Sequence, residues 1–319
     1  MPDGSEMRRT PLPEQVVSRR IRQPLVSVVI PTYNRAGALR RCLDSLTRQT
    51  TGDFEVLVCD DGSTDDTAEV VREYADILDI TYTSAENSGG PARPRNRGVA
   101  LARSPYVAFL DSDDWWAPRK LAESICCLER GADVVYHDLF LVTRADQRTF
   151  WRRVRARDLR PPVYRDLVTS GNALPLSSVV MRRSLLLTIA AMPEDRTVVA
   201  MEDFVCWLNA ARVTEKFARI HETLGYYWAG GGNISADAKT IELLDIFETR
   251  YLSSGDVVEG RAPPSWLAYA RGRAYYRLGD HTEARRHLSL VSVRRVSPMT
   301  SAKTVWMRLA MVFPPRLPE

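Results

Sequence analysis

The chain has 319 residues, 45% of them hydrophobic and 8% aromatic, which is enough for one large domain plus an appendage and excludes general disorder. A formal charge of +4 is too small for a nucleic-acid binder, so nucleic acid is not expected as a partner. Five cysteines (Cys42, Cys59, Cys126, Cys127 and Cys206) have neither zinc-ligand spacing nor a disulfide framework, and no apolar run reaches the ~18 residues needed to span a bilayer. Together these features predict reduced thiols and a cytoplasmic location.

Residues 1–24 are polar, rich in arginine and proline, and lack an apolar leader segment. They read as a flexible basic arm. From Leu25 to Ile30 a short β-branched run ends at Pro31, as a buried strand does. Ala38, Leu39, Cys42, Leu43 and Leu46 then recur at helical spacing. Phe54 to Cys59 reads as a second strand running into Asp60-Asp61-Gly62-Ser63, with Thr64 or Asp65 placed to cap a helix through about Tyr74. Ile80 to Thr83 is a third strand, followed by a glycine turn at Ser88–Pro91 and a helix to about Ala102. Tyr106 to Leu110 is a fourth, stopped by Asp111-Ser112-Asp113-Asp114. Pro118 suits the first position of the next helix, and Val134 to Val142 resumes strand pattern. This alternation predicts a parallel α/β sheet. Loops at the carboxyl ends of such strands converge, so Pro31–Asn34, Asp60–Ser63 and Asp111–Asp114 are expected in one crevice.

Residues 144–170 are irregular and crowded with arginine. Regular pattern returns at Ser177–Met181 and in a helix near 201–212, and residues 240–254 look helical. An α-hairpin follows, with helices near 265–278 and 281–291, and then a short amphipathic piece over 302–313.

Asp111 and Asp113, one residue apart on a turn that closes a buried strand, can hold a hard divalent cation whose other ligands come from phosphates and water. Such a cation offsets charge on a diphosphate leaving group. Asp113 or Asp114 could instead cap the following helix. Asp61, beside the permissive Gly62, can accept from a base N–H or a ribose hydroxyl, or can cap. Gly89 to Gly98 is a glycine turn opening an arginine-studded helix; its N-terminus favours phosphate, and Arg95 could add a forked contact. Asn96 and Gly98 suggest close packing there. Glu202-Asp203 opens a helix, where the dipole alone favours carboxylates, and it can also supply a base for an acceptor hydroxyl.

Taken together, these segments resemble glycosyltransferase family 2, the inverting group with a GT-A fold. The matching stretches are Val26–Arg35, Phe54–Thr67, Gly89–Gly98, Val107–Asp114 and Glu202–Leu208, within residues 25–235. The resemblance implies an α/β fold: a GT-A nucleotide-sugar-binding sheet flanked by helices, with a small α-helical C-terminal extension. It implies that Pro31, Tyr33 and Asp61 line the nucleoside pocket and that Asp111, Ser112 and Asp113 serve ribose, diphosphate and metal. Mn²⁺ or Mg²⁺ would be held by Asp111 and Asp113. Arg95 would approach the diphosphate, Asp203 would be the general base with Glu202 beside it, and Ser177, Ser178 and Trp228 would border the acceptor side.

One departure stands out. Relatives often carry Tyr-Arg-x-His-x-x-Asn-x-Ser near the end of the catalytic region, whereas this chain reads Tyr227-Trp228-Ala229-Gly230-Gly231-Gly232-Asn233-Ile234-Ser235. Trp228 and Gly230 replace the arginine and histidine, and the glycine run suggests a flap.

The expected organisation is an arm over 1–24, a catalytic domain over 25–235, a helical extension over 236–300 and a tail over 301–319. Within the extension, Gly272, Tyr275, Gly279, Ala284 and Leu288 resemble a single tetratricopeptide-like unit, which must pack on the domain or on a partner chain. The tail, with Val305, Trp306, Leu309, Val312 and Phe313 near Lys303, Arg308 and Arg316, suits either an anionic membrane surface or docking on the protein. The expectation is a metal-dependent inverting transferase using a nucleotide sugar, with UDP as the expected nucleotide, and a glycan or lipid-linked acceptor. It would be cytoplasmic, or peripheral at the inner face of the membrane, and a homodimer is allowed. A peptide acceptor, or a non-catalytic nucleotide-sugar sensor or scaffold, are the competing readings.

Overall fold

A computed structural model describes residues 15–17, 23–231, 237–252, 263–294 and 296–312. Expectations for the rest of the arm, for Gly232–Ser235, and for Phe313 and Arg316 lie outside the described residues. Strand β1 (Gln15–Val17) precedes β2 (Val26–Thr32), α1 (Ala36–Thr47), β3 (Phe54–Asp60), α2 (Thr67–Glu73), β4 (Ile80–Ser84), α3 (Ala92–Leu101) and β5 (Tyr106–Phe109). Then come β6 (Trp115–Trp116), α4 (Lys120–Glu129), β7 (Val134–Val142), β8 (Arg153–Val154), α5 (Val163–Ser170), β9 (Val180–Arg182) and α6 (Arg183–Thr188). The chain continues through α7 (Glu202–Ala211), β10 (Phe217–Trp228), α8 (Asp237–Phe247), α9 (Ser265–Arg277), α10 (His281–Ser289) and α11 (Pro298–Val312).

One sheet carries the strands in the order β1-β4-β3-β2-β5-β9-β7-β10-β6, with β8 on β7. The sheet is mostly parallel through β4, β3, β2 and β5, as the alternation predicts. It is not wholly parallel: β9 runs antiparallel to both β5 and β7, and β10 is parallel to β7. Part of the arm also departs from expectation, because Gln15–Val17 pairs antiparallel with β4 and forms the edge of the sheet.

β2 and β3 are buried along their whole length, which explains their near-continuous apolar sequence. Alternate residues serve two cores. Val28, Ile30, Val56 and Val58 pack with α1, α2 and α4, while Val29, Leu57 and Phe109 pack beneath α3, α5 and α7. The helix predicted to start at Pro118 begins at Lys120, and Pro118 stands in the turn before it.

The extension is tied to the catalytic core. Phe247 of α8 stacks on Phe204, Trp266 of α9 meets both rings edge-on, and the Trp266 indole donates to the Val168 carbonyl at 2.9 Å. In the hairpin α9–α10, Gly272 lies against Leu288. The final helix docks on this hairpin through Thr304, Met307 and Met311, while Val305, Trp306 and Leu309 remain exposed. Docking on the protein is therefore realised on one face of α11. Among the described residues no helix is long and apolar enough to cross a membrane.

Gly98 is where α3 presses on the sheet. A β-carbon there would lie 2.4 Å from Val29 Cγ1 and 3.1 Å from Cys59 Sγ. Gly98→Ala is expected to cost about 1–3 kcal/mol of stability through overpacking. Gly37→Ala, where a β-carbon meets nothing within 4 Å, is expected to be neutral or slightly stabilising. Urea denaturation of both variants checks the contrast, and an unchanged midpoint for Gly98→Ala would contradict the packing account.

Candidate active site

The first two strand-end loops are stitched together. Asn34, in the left-handed region at φ 50°, donates its N–H to Ser63 Oγ and accepts from the Thr64 N–H, both at 2.8 Å. Asp65 accepts from the Ala36 N–H and from both the N–H and hydroxyl of Thr67, so it steadies the start of α2 much as a cap would. Asp61 caps no helix. Its two oxygens accept from the N–H and hydroxyl of Ser88 at 2.9–3.1 Å, which fixes the glycine turn against the second loop. Gly62 takes φ 86°, and a β-carbon there would sit 3.1 Å from Ala85 O and from Asn87 N, so the turn needs glycine.

Arg95 projects from α3 into the protein and is 3% exposed. One guanidinium nitrogen donates to Asp111 Oδ1 at 2.6 Å and the other to Glu202 Oε1 at 2.7 Å. Burial alone would lower its pKa, but the charges of Asp111 and Glu202 outweigh that and raise it. Glu202 uses its second oxygen on the N–H of Ala200, which it holds at φ 78°. Both oxygens of Glu202 are thus engaged. Asp203 is half-buried; it accepts from the Phe204 N–H and, at 3.4 Å, from Asn172 Nδ2. Burial first, then the neighbouring Glu202 charge, against the opposing pull of Arg95, push its carboxyl up to about 7.

The acidic loop after β5 is held from below. The Asp111 N–H donates to Ser177 Oγ, and the Trp116 indole donates to the Ser177 carbonyl. Asp113 pairs with Arg35, and its carbonyl accepts from Arg41, whose guanidinium lies 4.0 Å from the Trp115 ring and 4.9 Å from the Trp228 ring. Asp114 caps no helix. One of its oxygens accepts from the Trp228 N–H and the other is buried without a hydrogen bond. Burial and then the Asp111 charge raise the carboxyls of both Asp113 and Asp114.

These parts enclose a cleft of about 730 Å³. Of the residues singled out in the sequence, Pro31, Tyr33, Asp61, Arg95, Asp111, Ser112, Asp113, Ser177, Glu202 and Asp203 line it. Two do not. Ser178 is fully buried with its hydroxyl on the Pro175 carbonyl, and Trp228 turns its ring onto Arg41 while its neighbour Tyr227 faces the cleft. Strand alternation accounts for the second displacement. Arg35, Ala200 and Tyr227 line the cleft without having been singled out. The signal for Arg35 was its place directly after the first strand-end loop.

Asp111 and Asp113 offer hard oxygen donors at the cleft wall, and burial, then their crowding with one another and with Asp114, raises the carboxyls of Asp113 and Asp114. That suits a divalent cation. Among the described residues no three potential metal ligands gather at one point.

Residues 27–190 match the model of the family described as Glycosyl transferase family 2. An uncharacterized glycosyltransferase of Nostoc sp. is 30% identical over 228 residues, covering 68% of this chain and 69% of that one. The curated relatives of higher identity match over 92–99 residues, and the chain spans only 10–28% of their length. In fold, the chain is similar to S. aureus TarS 1–349 in complex with UDP-GlcNAc, at TM-score 0.59 and 19% identity over 90% of this chain and 88% of that one. It is also similar to a mannosyltransferase from Pyrobaculum calidifontis in complex with GDP-Man and Mn²⁺, at TM-score 0.55 and 20% identity over 92% and 82%.

The Arg95 bridge generates a stability prediction. Removing one partner of a buried pair leaves an uncompensated charge, so Arg95→Met should cost about 3–5 kcal/mol at neutral pH. Denaturant titration at neutral pH measures the loss, and wild-type stability in the variant would remove the bridge from the fold's supports.

Proposed function

The chain belongs to glycosyl transferase family 2, and on that premise we propose that it transfers a sugar from a nucleoside diphosphate sugar, UDP-linked, to an acceptor hydroxyl with inversion. The observation that carries this reading is the cleft itself. It is lined by Asp111 and Asp113 and also by Asp203, whose carboxyl is pushed up to about 7. A base of that strength is matched to neutral pH.

In the proposed reaction the Asp203 carboxylate takes the proton of the acceptor hydroxyl. The freed oxygen forms a bond to the anomeric carbon on the face opposite the diphosphate. The bond from that carbon to the phosphate oxygen breaks, and its electron pair leaves with the nucleoside diphosphate. Tyr33, 47% exposed at the cleft wall, is assigned to the base, and Asp61, beside the stitched loops, to the nucleoside. Mn²⁺ or Mg²⁺ on Asp111 and Asp113 would supply charge neutralisation for the leaving group. Arg35 rests on Asp113 at the cleft and is assigned to the diphosphate, since this chain has Trp228 and Gly230 where relatives often carry an arginine and a histidine. Arg95, with both arms on carboxylates, is assigned to shaping the charge of the site rather than to the phosphate.

Two variants and a pH series test the reading together. Asp113→Asn should abolish the gain in UDP affinity that Mn²⁺ gives the wild type, while affinity in chelator stays the same; calorimetry reads both. Asp203→Asn should keep donor affinity within a few-fold and lose roughly 10²–10⁴ of turnover. Because the base works only when ionised, wild-type turnover should rise with pH through about 7 and level off above it. Metal-enhanced binding retained in Asp113→Asn, or normal turnover in Asp203→Asn, would overturn these assignments.

A further inference from the structure

The donor reading leaves the arginine-rich segment unused. From Arg148 to Arg155 the chain reads Arg-Thr-Phe-Trp-Arg-Arg-Val-Arg, four arginines with no carboxylate. The segment returns along β7 so that Arg153 pairs with Phe140 and Val154 with Leu139. That register turns Val154 into the wall of the cleft. It also lays the Arg153 guanidinium 5.7 Å from the Phe140 ring. Phe150 meets Tyr226 edge-on at 4.9 Å, and Tyr226 stacks on Trp115 at 5.1 Å, so the segment is anchored by rings. Trp151 is 80% exposed.

Arg148, Arg152, Arg153 and Arg155 are all exposed, and none has an ion-pair partner among the described residues. Carboxylates close by are already engaged: Asp166 with Arg157, and Asp158 with Arg219. Four like charges within eight residues repel one another, and a bound polyanion relieves that repulsion.

We propose that this segment is the acceptor track, and that the acceptor is a polyanionic glycan or polyol chain bearing phosphate or carboxylate groups. The arginines engage the anionic groups and the Trp151 indole stacks on a sugar ring. The proposal rests on the donor reading of the cleft, since an acceptor must reach Asp203. The position of Val154 favours an acceptor over a lipid surface: it lines the cleft between Arg153 and Arg155 in the chain, so the arginine segment adjoins the cleft. Exposed charges give contacts that weaken with salt.

The test uses the full chain with polyphosphate, polygalacturonate and neutral dextran of similar length, and with vesicles of phosphatidylglycerol and phosphatidylcholine. Binding is read at two salt concentrations. The wild type should bind both polyanions in a salt-dependent way and leave dextran unbound. Preference for one polyanion supports the proposal and identifies the anionic group. The triple variant Arg152→Gln, Arg153→Gln, Arg155→Gln should lose polyanion affinity about ten-fold or more. Its melting temperature and UDP affinity should stay at wild-type values. Equal polyanion affinity in variant and wild type, or dextran binding as tight as polyanion binding, overturns the proposal. Binding confined to the anionic vesicles also overturns it and gives the arginines to a lipid surface. Failure of the wild type to bind UDP would instead strike the donor reading, with the polyanion result standing as a separate measurement.

Discussion

Asp111 ends one strand and Glu202 begins a helix far along the chain, and both would be costly to bury as free charges. They meet on the guanidinium of Arg95, which α3 delivers to a position 3% exposed. The planar fork suits this task because each arm can satisfy a different carboxylate. Lysine, a point charge with a flexible stem, could not span the same two partners in fixed geometry. The glycine turn before α3 and the close approach at Gly98 set how deeply that helix sits, so they too bear on where the guanidinium lies.

From this bridge follows a division of labour between adjacent acids. Glu202 spends one oxygen on Arg95 and the other on the Ala200 N–H. Its charge still reaches Asp203 and, together with burial, pushes that carboxyl up to about 7. One acid is structural and the other is left with basic character near neutrality. A similar split appears in the acidic loop. Asp114 is buried and anchors the Trp228 N–H, while the carboxylate of Asp113 pairs with the partly exposed Arg35 at the cleft.

Much of this was legible in the chain, and the reasons are local. Strands β2, β3 and β5 announce themselves as apolar runs, although β2 continues through Pro31 to Thr32, and the loops that follow line the cleft. The missing parts depend on partners distant in sequence. β10 carries Arg219, His221, Glu222 and Gly225, and its pairing with β7 shifts register between Ile220 and Thr223 and again between Thr223 and Tyr226, so no period-two pattern survives. That hid the strand, so the sequence pointed to Trp228 where it is Tyr227 that lines the cleft. Helix α5 lay hidden among arginines directly after Pro161-Pro162. Arg95 was visible as a basic residue beside a glycine turn, but nothing in its neighbourhood said that two remote carboxylates would claim it.

On this reading Arg95 is a fixed counter-ion of the site and not a ligand of the donor. A crystal structure of the complex with UDP and Mn²⁺ measures this directly. The guanidinium should keep its contacts to Asp111 and Glu202, with the diphosphate reached by other groups. A guanidinium that has left Glu202 to grip the diphosphate would contradict it.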